Sequence, residues 1–178
     1  MSKLTPAINL NDHHLGNVNA PVTLVEFGDY ECPHCGHAHS LIKRLSKEMG
    51  EDVDFVFRNF PLQESHPHAY MAALAAEAAA KQNKFWEMHH LLFENGDKLN
   101  EHFLLNLAKN LRLNIEQFKE NYKSIEVENK VEADLESGVR SGVNGTPSFY
   151  VNGHKVLTYD ESYESLINAI KKESRVKY

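Results

Sequence analysis

The stretch "PVTLVEFGDYECPHC", residues 21–35, constrains the fold of this chain more than any other. Its first nine residues are apolar and β-branched, opened by Pro21 and closed by Gly28 and Asp29, so 21–29 reads as a buried strand. From Cys32 to about Gly50 the pattern turns helical. Ala38, Leu41, Ile42, Leu45 and Met49 recur at three- and four-residue steps, and Gly50 suits a C-terminal stop. "VDFVFRNF" (53–60) is a second strand. Strand, helix, strand in this order predicts a right-handed crossover and a parallel pair. The chain is thereby committed to an α/β core, with both of its cysteines, Cys32 and Cys35, at the first strand-to-helix junction.

Downstream, Pro67 suits the first position of a helix that runs through the alanine-rich 69–82. Further helices are predicted over 85–95, 100–111, 114–123 and 125–140. Asn caps the two at 100–111 and 114–123, and Val127, Val131, Leu135 and Val139 recur at four-residue steps in the last. The pattern then changes again. "SFYV" and "KVL" flank Asn152-Gly153, a hairpin signal. An amphipathic helix over 160–172 closes the chain, with Leu166, Ile167 and Ile170 inward and Asp160 as candidate cap. The expected organisation is a core of residues 1–62 and 141–178, including a polar, extended arm at 1–20, interrupted by a helical subdomain at 63–140.

Bulk properties exclude several classes of function. A formal net charge of −6 with no run of Lys and Arg argues against a nucleic-acid surface. No apolar run approaches the length of a membrane span. The first 21 residues hold no apolar signal core, so the sequence as given reads as cytoplasmic, or as extracytoplasmic if a signal has been removed. A bridge between Cys32 and Cys35 closes too small a loop to serve mainly as a staple.

Three chemistries compete at the cysteines. Haem attachment needs His directly after the second Cys, where Gly36 stands. Structural zinc needs about four ligands; Cys32, Cys35 and His39 supply three, and the fourth would be a remote side chain. A redox dithiol explains the placement best. At a helix start, free N–H groups and the positive end of the dipole favour a Cys32 thiolate. A lowered pKa makes that sulfur an available nucleophile and a good leaving group. Pro33 fits the first turn at no cost, and Cys35 lies one turn along, partly shielded and within reach.

The segments "APVTLVEFGDYECPHC" (20–35), "FVFRNFPL" (55–62), "HPHAYMAALAAEAA" (66–79), "KFWEMHHLLFEN" (84–95) and "GVNGTPSFYVNG" (142–153) together resemble the DsbA-like thiol:disulfide oxidoreductases of the thioredoxin superfamily. The resemblance implies a thioredoxin fold with an inserted α-helical subdomain, in agreement with the pattern above. It implies that Cys32 is the attacking or attacked sulfur and Cys35 the resolving one, with Pro33 and His34 between them. His34 would stabilise the Cys32 thiolate by a hydrogen bond or its charge; the alternative is a solvated turn residue. Thr146 and Pro147 match the loop in which the family carries a cis proline beside the dithiol, where an extended substrate strand pairs. Glu26, an acid inside a strand, matches the family's buried carboxyl and would relay protons to or from Cys35; the alternative is a strand-end carboxylate reaching water.

No cofactor and no metal ligand are expected. His66, His68, His89 and His90 read as packing and capping residues, and Phe85 and Trp86 as core. Glu126, Glu128, Glu132, Asp134 and Glu136 read as a solvated face. The expected function is protein thiol–disulfide exchange in the oxidase direction, on protein substrates with thiols or disulfides and with a separate redox partner. Its rivals are a cytosolic reductase or isomerase and a zinc-binding, redox-silent module.

Overall fold

The computed structural model describes residues 2–174; residue 1 and residues 175–178, at the two ends of the expected core, lie outside the described residues. A five-stranded sheet has the order β1-β3-β2-β4-β5, formed by β1 (His13–Leu15), β2 (Val22–Gly28), β3 (Val53–Asn59), β4 (Ser148–Val151) and β5 (His154–Lys155). β2 and β3 run parallel, from Val22↔Val53 to Gly28↔Asn59, joined by α1 (Pro33–Met49). β4 pairs antiparallel on the other side of β2, with Glu26 opposite Phe149. The β4–β5 turn is Asn152-Gly153, at φ of 48° and 81°, the left-handed pair that a two-residue hairpin requires.

Between β3 and β4 the chain makes five helices: α2 (Ala69–Ala80), α3 (Phe85–Glu94), α4 (Glu101–Asn110), α5 (Ile115–Tyr122) and α6 (Ile125–Ser141). The side chains of Asn100, Asn114 and Ser124 each accept a hydrogen bond from a backbone N–H in the first turn of α4, α5 and α6. α2 begins at Ala69, two residues after Pro67. The closing helix, α7 (Tyr163–Ser174), also starts later than expected. Its first turn is capped by Ser162, whose Oγ accepts from Ser165 N at 3.1 Å, while the Asp160 carboxylate holds Ser162 itself.

The packing along α6 splits its valines between core and solvent and corrects the reading of Asp134. Val139 is 64% exposed, whereas Val127 and Val131 are buried. Four-residue steps turn a helix by 40° beyond a full circle, so three of them carry Val139 about 120° away from Val127. The buried face of α6 continues instead through Asp134, Ser137, Gly138 and Ser141. At Gly138 a Cβ would lie 2.3 Å from the Phe60 ring, so this helix approaches the sheet only because the side chain is absent. Asp134 is therefore not part of the solvated face. It is 4% exposed, accepts from Asn59 N and Nδ2 at 3.0 Å, and pairs with Lys130 at 2.6 Å. Glu126, Glu128, Glu132 and Glu136 do face solvent.

The N-terminal arm is more than an extended tail. His13–Leu15 pairs antiparallel with β3 and forms the sheet edge. The buried Arg58 guanidinium pins the arm, donating to Asp12 through Nε and Nη2 at 2.8 Å and to the carbonyls of Pro6 and Ala7. Among the described residues no helix is long and apolar enough to cross a membrane.

Candidate active site

Asp29 builds the turn that delivers Cys32. Its Oδ1 accepts from Glu31 N at 2.8 Å, an Asx-turn that reverses the chain after β2. Its Oδ2 accepts from Leu62 N at 2.9 Å and meets His66 Nδ1 at 2.8 Å, and its carbonyl accepts from Cys32 N at 3.2 Å. Burial opposes a charge on His66, but the Asp29 hydrogen bond and charge, with the charges of Cys32 and Glu31, together outweigh it and raise the imidazole pKa. Glu31, the next acid in this turn, accepts from His68 N at 2.7 Å and contacts the His68 ring at 2.9 Å, closing off the start of α2. His66 and His68 thus fasten the helical block to the active-site turn.

Cys32 occupies the N-cap position of α1 in extended backbone, φ −75° and ψ 121°, followed by Pro33 in the first turn. No side chain caps this helix, so its first N–H groups are left for the sulfur. Cys32 and Cys35 are free thiols. Cys32 is held down to about 5. The main cause is the hydrogen bond donated by the Cys35 thiol; Thr146 and the backbone N–H groups of Cys35 and His34 add to it, against the opposing effect of burial. Burial pushes Cys35 the other way, well above the ordinary thiol range, helped by its role as donor to Cys32 and by the Glu26 charge. Asp29 N donates to Cys35 Sγ at 3.5 Å. Two sulfurs one helical turn apart are therefore made unlike, one anionic near neutrality and one protonated.

Glu26 lies on β2, 1% exposed, with Oε1 buried and without a hydrogen-bond partner among the described residues. Burial, and then the Cys32 charge, raise it to about 8. The Tyr159 hydroxyl, also buried and unpartnered, is raised above the usual phenol range by burial and by Glu26. The Thr146–Pro147 peptide is cis, and the Thr146 carbonyl lies 3.5 Å from Cys32 Sγ. The cysteines, Glu26 and the Thr146–Pro147 loop therefore come together. His34 places its backbone N–H toward Cys32, but its exposed ring lies 2.7 Å from Glu161 Oε1. The Glu161 carbonyl meets His37 Nε2 at 2.8 Å, with Glu161 itself in the left-handed region at φ 69°. A shallow groove beside Cys32 is walled by Tyr30, Glu31, Pro33, Phe93 and Asp97.

His39 does not join the two cysteines. It lies at the α1–α3 contact with His89 and His90. Glu161, Tyr159 and Asp29 were not singled out by sequence pattern. Asp29 carries a readable signal, an Asp two residues before an N–H at a strand end; the other two carry none, because their partners lie more than a hundred residues away.

A thioredoxin family model matches residues 9–172. Among solved structures, BdbD from Bacillus subtilis superposes with a TM-score of 0.81 at 30% identity, covering 93% of this chain and 94% of that one. A thioredoxin-like oxidoreductase from Silicibacter pomeroyi gives 0.85 at 30% identity, covering 95% of each chain. The thiol-disulfide exchange protein alpha-DsbA2 of Wolbachia pipientis shares the fold, with a TM-score of 0.78 at 22% identity over 93% of this chain and 88% of that one. A curated relative, the Na(+)/H(+) antiporter NhaA 3 of Salinispora tropica, is 42% identical over 144 residues, which is 81% of this chain and 22% of that protein. NhaA 1 of Mycolicibacterium vanbaalenii is 41% identical over 84% of this chain and 25% of its own. The chain spans a quarter or less of the length of these curated relatives. On the match of its own residues 9–172, this chain belongs to the thioredoxin family, with a DsbA-like architecture of a thioredoxin core and an inserted helical block.

Proposed function

We propose that this protein is a thiol:disulfide oxidoreductase that transfers the Cys32–Cys35 disulfide to protein dithiols. The observation that carries this reading is the inequality of the two sulfurs: Cys32 is lowered to about 5 at the helix start, Cys35 is raised, and Glu26 at about 8 is electrostatically coupled to both.

In the oxidising direction a substrate thiolate attacks Cys32 Sγ. The Cys32–Cys35 bond breaks, and Cys35 leaves with the electron pair and takes a proton relayed by Glu26. A mixed disulfide joins substrate to Cys32. A second substrate thiolate attacks the substrate sulfur of that bond, and Cys32 leaves as a stable thiolate. Two electrons pass from substrate dithiol to protein dithiol, and a separate redox partner restores the disulfide. The extended backbone at Thr146–Pro147 pairs with the substrate strand while the mixed disulfide exists. A low pKa makes Cys32 a fast leaving group and stabilises the reduced protein, so the oxidase direction is favoured. In a strongly reducing compartment the same atoms run the reverse reaction.

The test is capture of the intermediate. Cys35→Ser, incubated with a peptide disulfide, is expected to accumulate a mixed disulfide on Cys32, whereas Cys32→Ser yields none. Equal capture by both variants refutes the assignment. The equilibrium potential against glutathione sets the direction: a potential more oxidising than the glutathione couple supports an oxidase, and one well below it supports a reductase.

A further inference from the structure

We propose that His39, His89 and His90 form a binding site for one divalent late first-row metal ion of the zinc type, clipping α1 to α3. The three residues each offer a ring nitrogen, and these nitrogens all lie within 4.8 Å of one another. His39 Nε2 and His90 Nδ1 are 3.3 Å apart. That separation is the edge of a tetrahedron with metal–nitrogen bonds of about 2.0–2.1 Å. The rings come from two helices: His39 from α1, and the adjacent His89 and His90 from α3.

The rings are held in place by packing. His39 stacks on Phe93 with ring centres 5.0 Å apart and an interplanar angle of 23°, and His89 sits edge-on to Phe57 at 4.6 Å. A neutral imidazole carries one lone pair that a metal can take. Tyr30 Oη lies 2.9 Å from His89 Nδ1. This is the outer contact that fixes a ligating histidine, leaving Nε2 as the free nitrogen. Among the described residues His39 Nδ1 is buried with no partner, so no hydrogen bond there commits the ring to a different role.

Packing alone does not require this arrangement. Aromatic carbon rings would fill the same space without desolvated nitrogens, and two unprotonated nitrogens at 3.3 Å repel unless a proton or a cation is shared between them. Lys43 is the cation that opposes a metal here, lying one turn after His39. Its ammonium is held at 3.1 Å by Glu94, one turn after His90, so the local charge is balanced. Three imidazoles favour zinc, copper, nickel or cobalt over the hard cations magnesium and calcium. Neither cysteine takes part, so the site is separate from the dithiol.

The test uses the full chain with Cys32 and Cys35 joined as a disulfide, which removes both thiolates as ligands. Zn²⁺ is titrated by calorimetry, and Co²⁺ by visible absorption. One equivalent is expected to bind, with cobalt bands of a four-coordinate site made by three imidazole nitrogens and one water. His90→Gln, at a half-buried position, is expected to weaken binding by about 100-fold or more, and Tyr30→Phe by about 10-fold. The control His102→Gln, at an exposed position on α4, is expected to change nothing. Absence of stoichiometric binding to the parent protein overturns the proposal without recourse to any variant. So does binding that His90→Gln leaves intact, which would place the metal on other surface histidines.

Discussion

The His34 imidazole and the Glu161 carboxylate face each other beside the dithiol, Nδ1 to Oε1 at 2.7 Å, both largely in solvent. The ring between the two cysteines thus pairs with Glu161, while the His34 backbone N–H hydrogen-bonds Cys32. His34→Leu keeps that N–H. The variant is expected to shift the pH midpoint of Cys32 alkylation upward by less than about tenfold in the dissociation constant, which is about 1.4 kcal/mol. A midpoint restored to the ordinary cysteine value of about 8.5 would show instead that the ring dominates.

Glu26 keeps its proton to about pH 8 in the folded protein, while an unfolded glutamate releases it near 4.5. Between these values the folded state holds a proton that the unfolded state has lost. Stability therefore falls as pH rises through this window and levels off above it. Glu26→Gln removes the penalty. Denaturant melts are expected to find the variant more stable at pH 8 by a few kcal/mol, roughly 1.4 kcal/mol per pH unit crossed, with the gap closing toward pH 4.5. Under the proposed mechanism the same variant should also resolve mixed disulfides more slowly, because glutamine cannot relay the Cys35 proton. A variant no more stable at pH 8 would mean that the carboxyl is solvated.

Reduction is expected to stabilise the protein, the opposite of a structural disulfide. The Cys32 pKa is depressed from 9.0 to about 5 on folding, so its ionisation contributes stability fully above pH 9 and loses it as pH falls toward 5. The four-residue loop gives the disulfide an entropic advantage of only about 2 kcal/mol. At pH 8 the reduced form should unfold at higher denaturant than the oxidised form, and the difference should shrink on acidification. An oxidised form that is the more stable at pH 8 favours the reductase direction.

Asp134 and Lys130 form a buried pair at 2.6 Å, with Asn59 donating to the same carboxylate. Asp134→Ala leaves Lys130 and Asn59 without that partner and is expected to cost about 3–5 kcal/mol. Glu132→Ala, two residues earlier on the exposed face of α6, should cost less than about 1 kcal/mol. Thermal or denaturant melts of the two variants separate these cases; equal losses would mean that the pair is solvated.

What was legible in the sequence was local. The Asn152-Gly153 turn, the Asn100 and Asn114 caps and the Cys32 helix start each depend on residues within a few positions. Glu26 was legible because an acid in an apolar strand conflicts with its neighbours. The illegible features depend on distant partners or on accumulated geometry. Asp134 resembles its exposed neighbours until Asn59 and Lys130 are seen beside it. Val139 leaves the core only because small rotations add along α6. His13–Leu15 becomes a strand because the edge of β3 is open to it, and Arg58 holds the arm there through Asp12. Glu161 reaches His34 across 127 positions of chain, a pairing with no trace in local pattern.

The most direct measurement is the pH dependence of alkylation in the reduced protein, with each label mapped by mass spectrometry. Short pulses across the acidic range are expected to label Cys32 alone, with a midpoint near pH 5, while Cys35 stays unmodified. A midpoint near the ordinary thiol value, or equal labelling of the two cysteines, would contradict the inequality of the sulfurs on which the exchange mechanism rests.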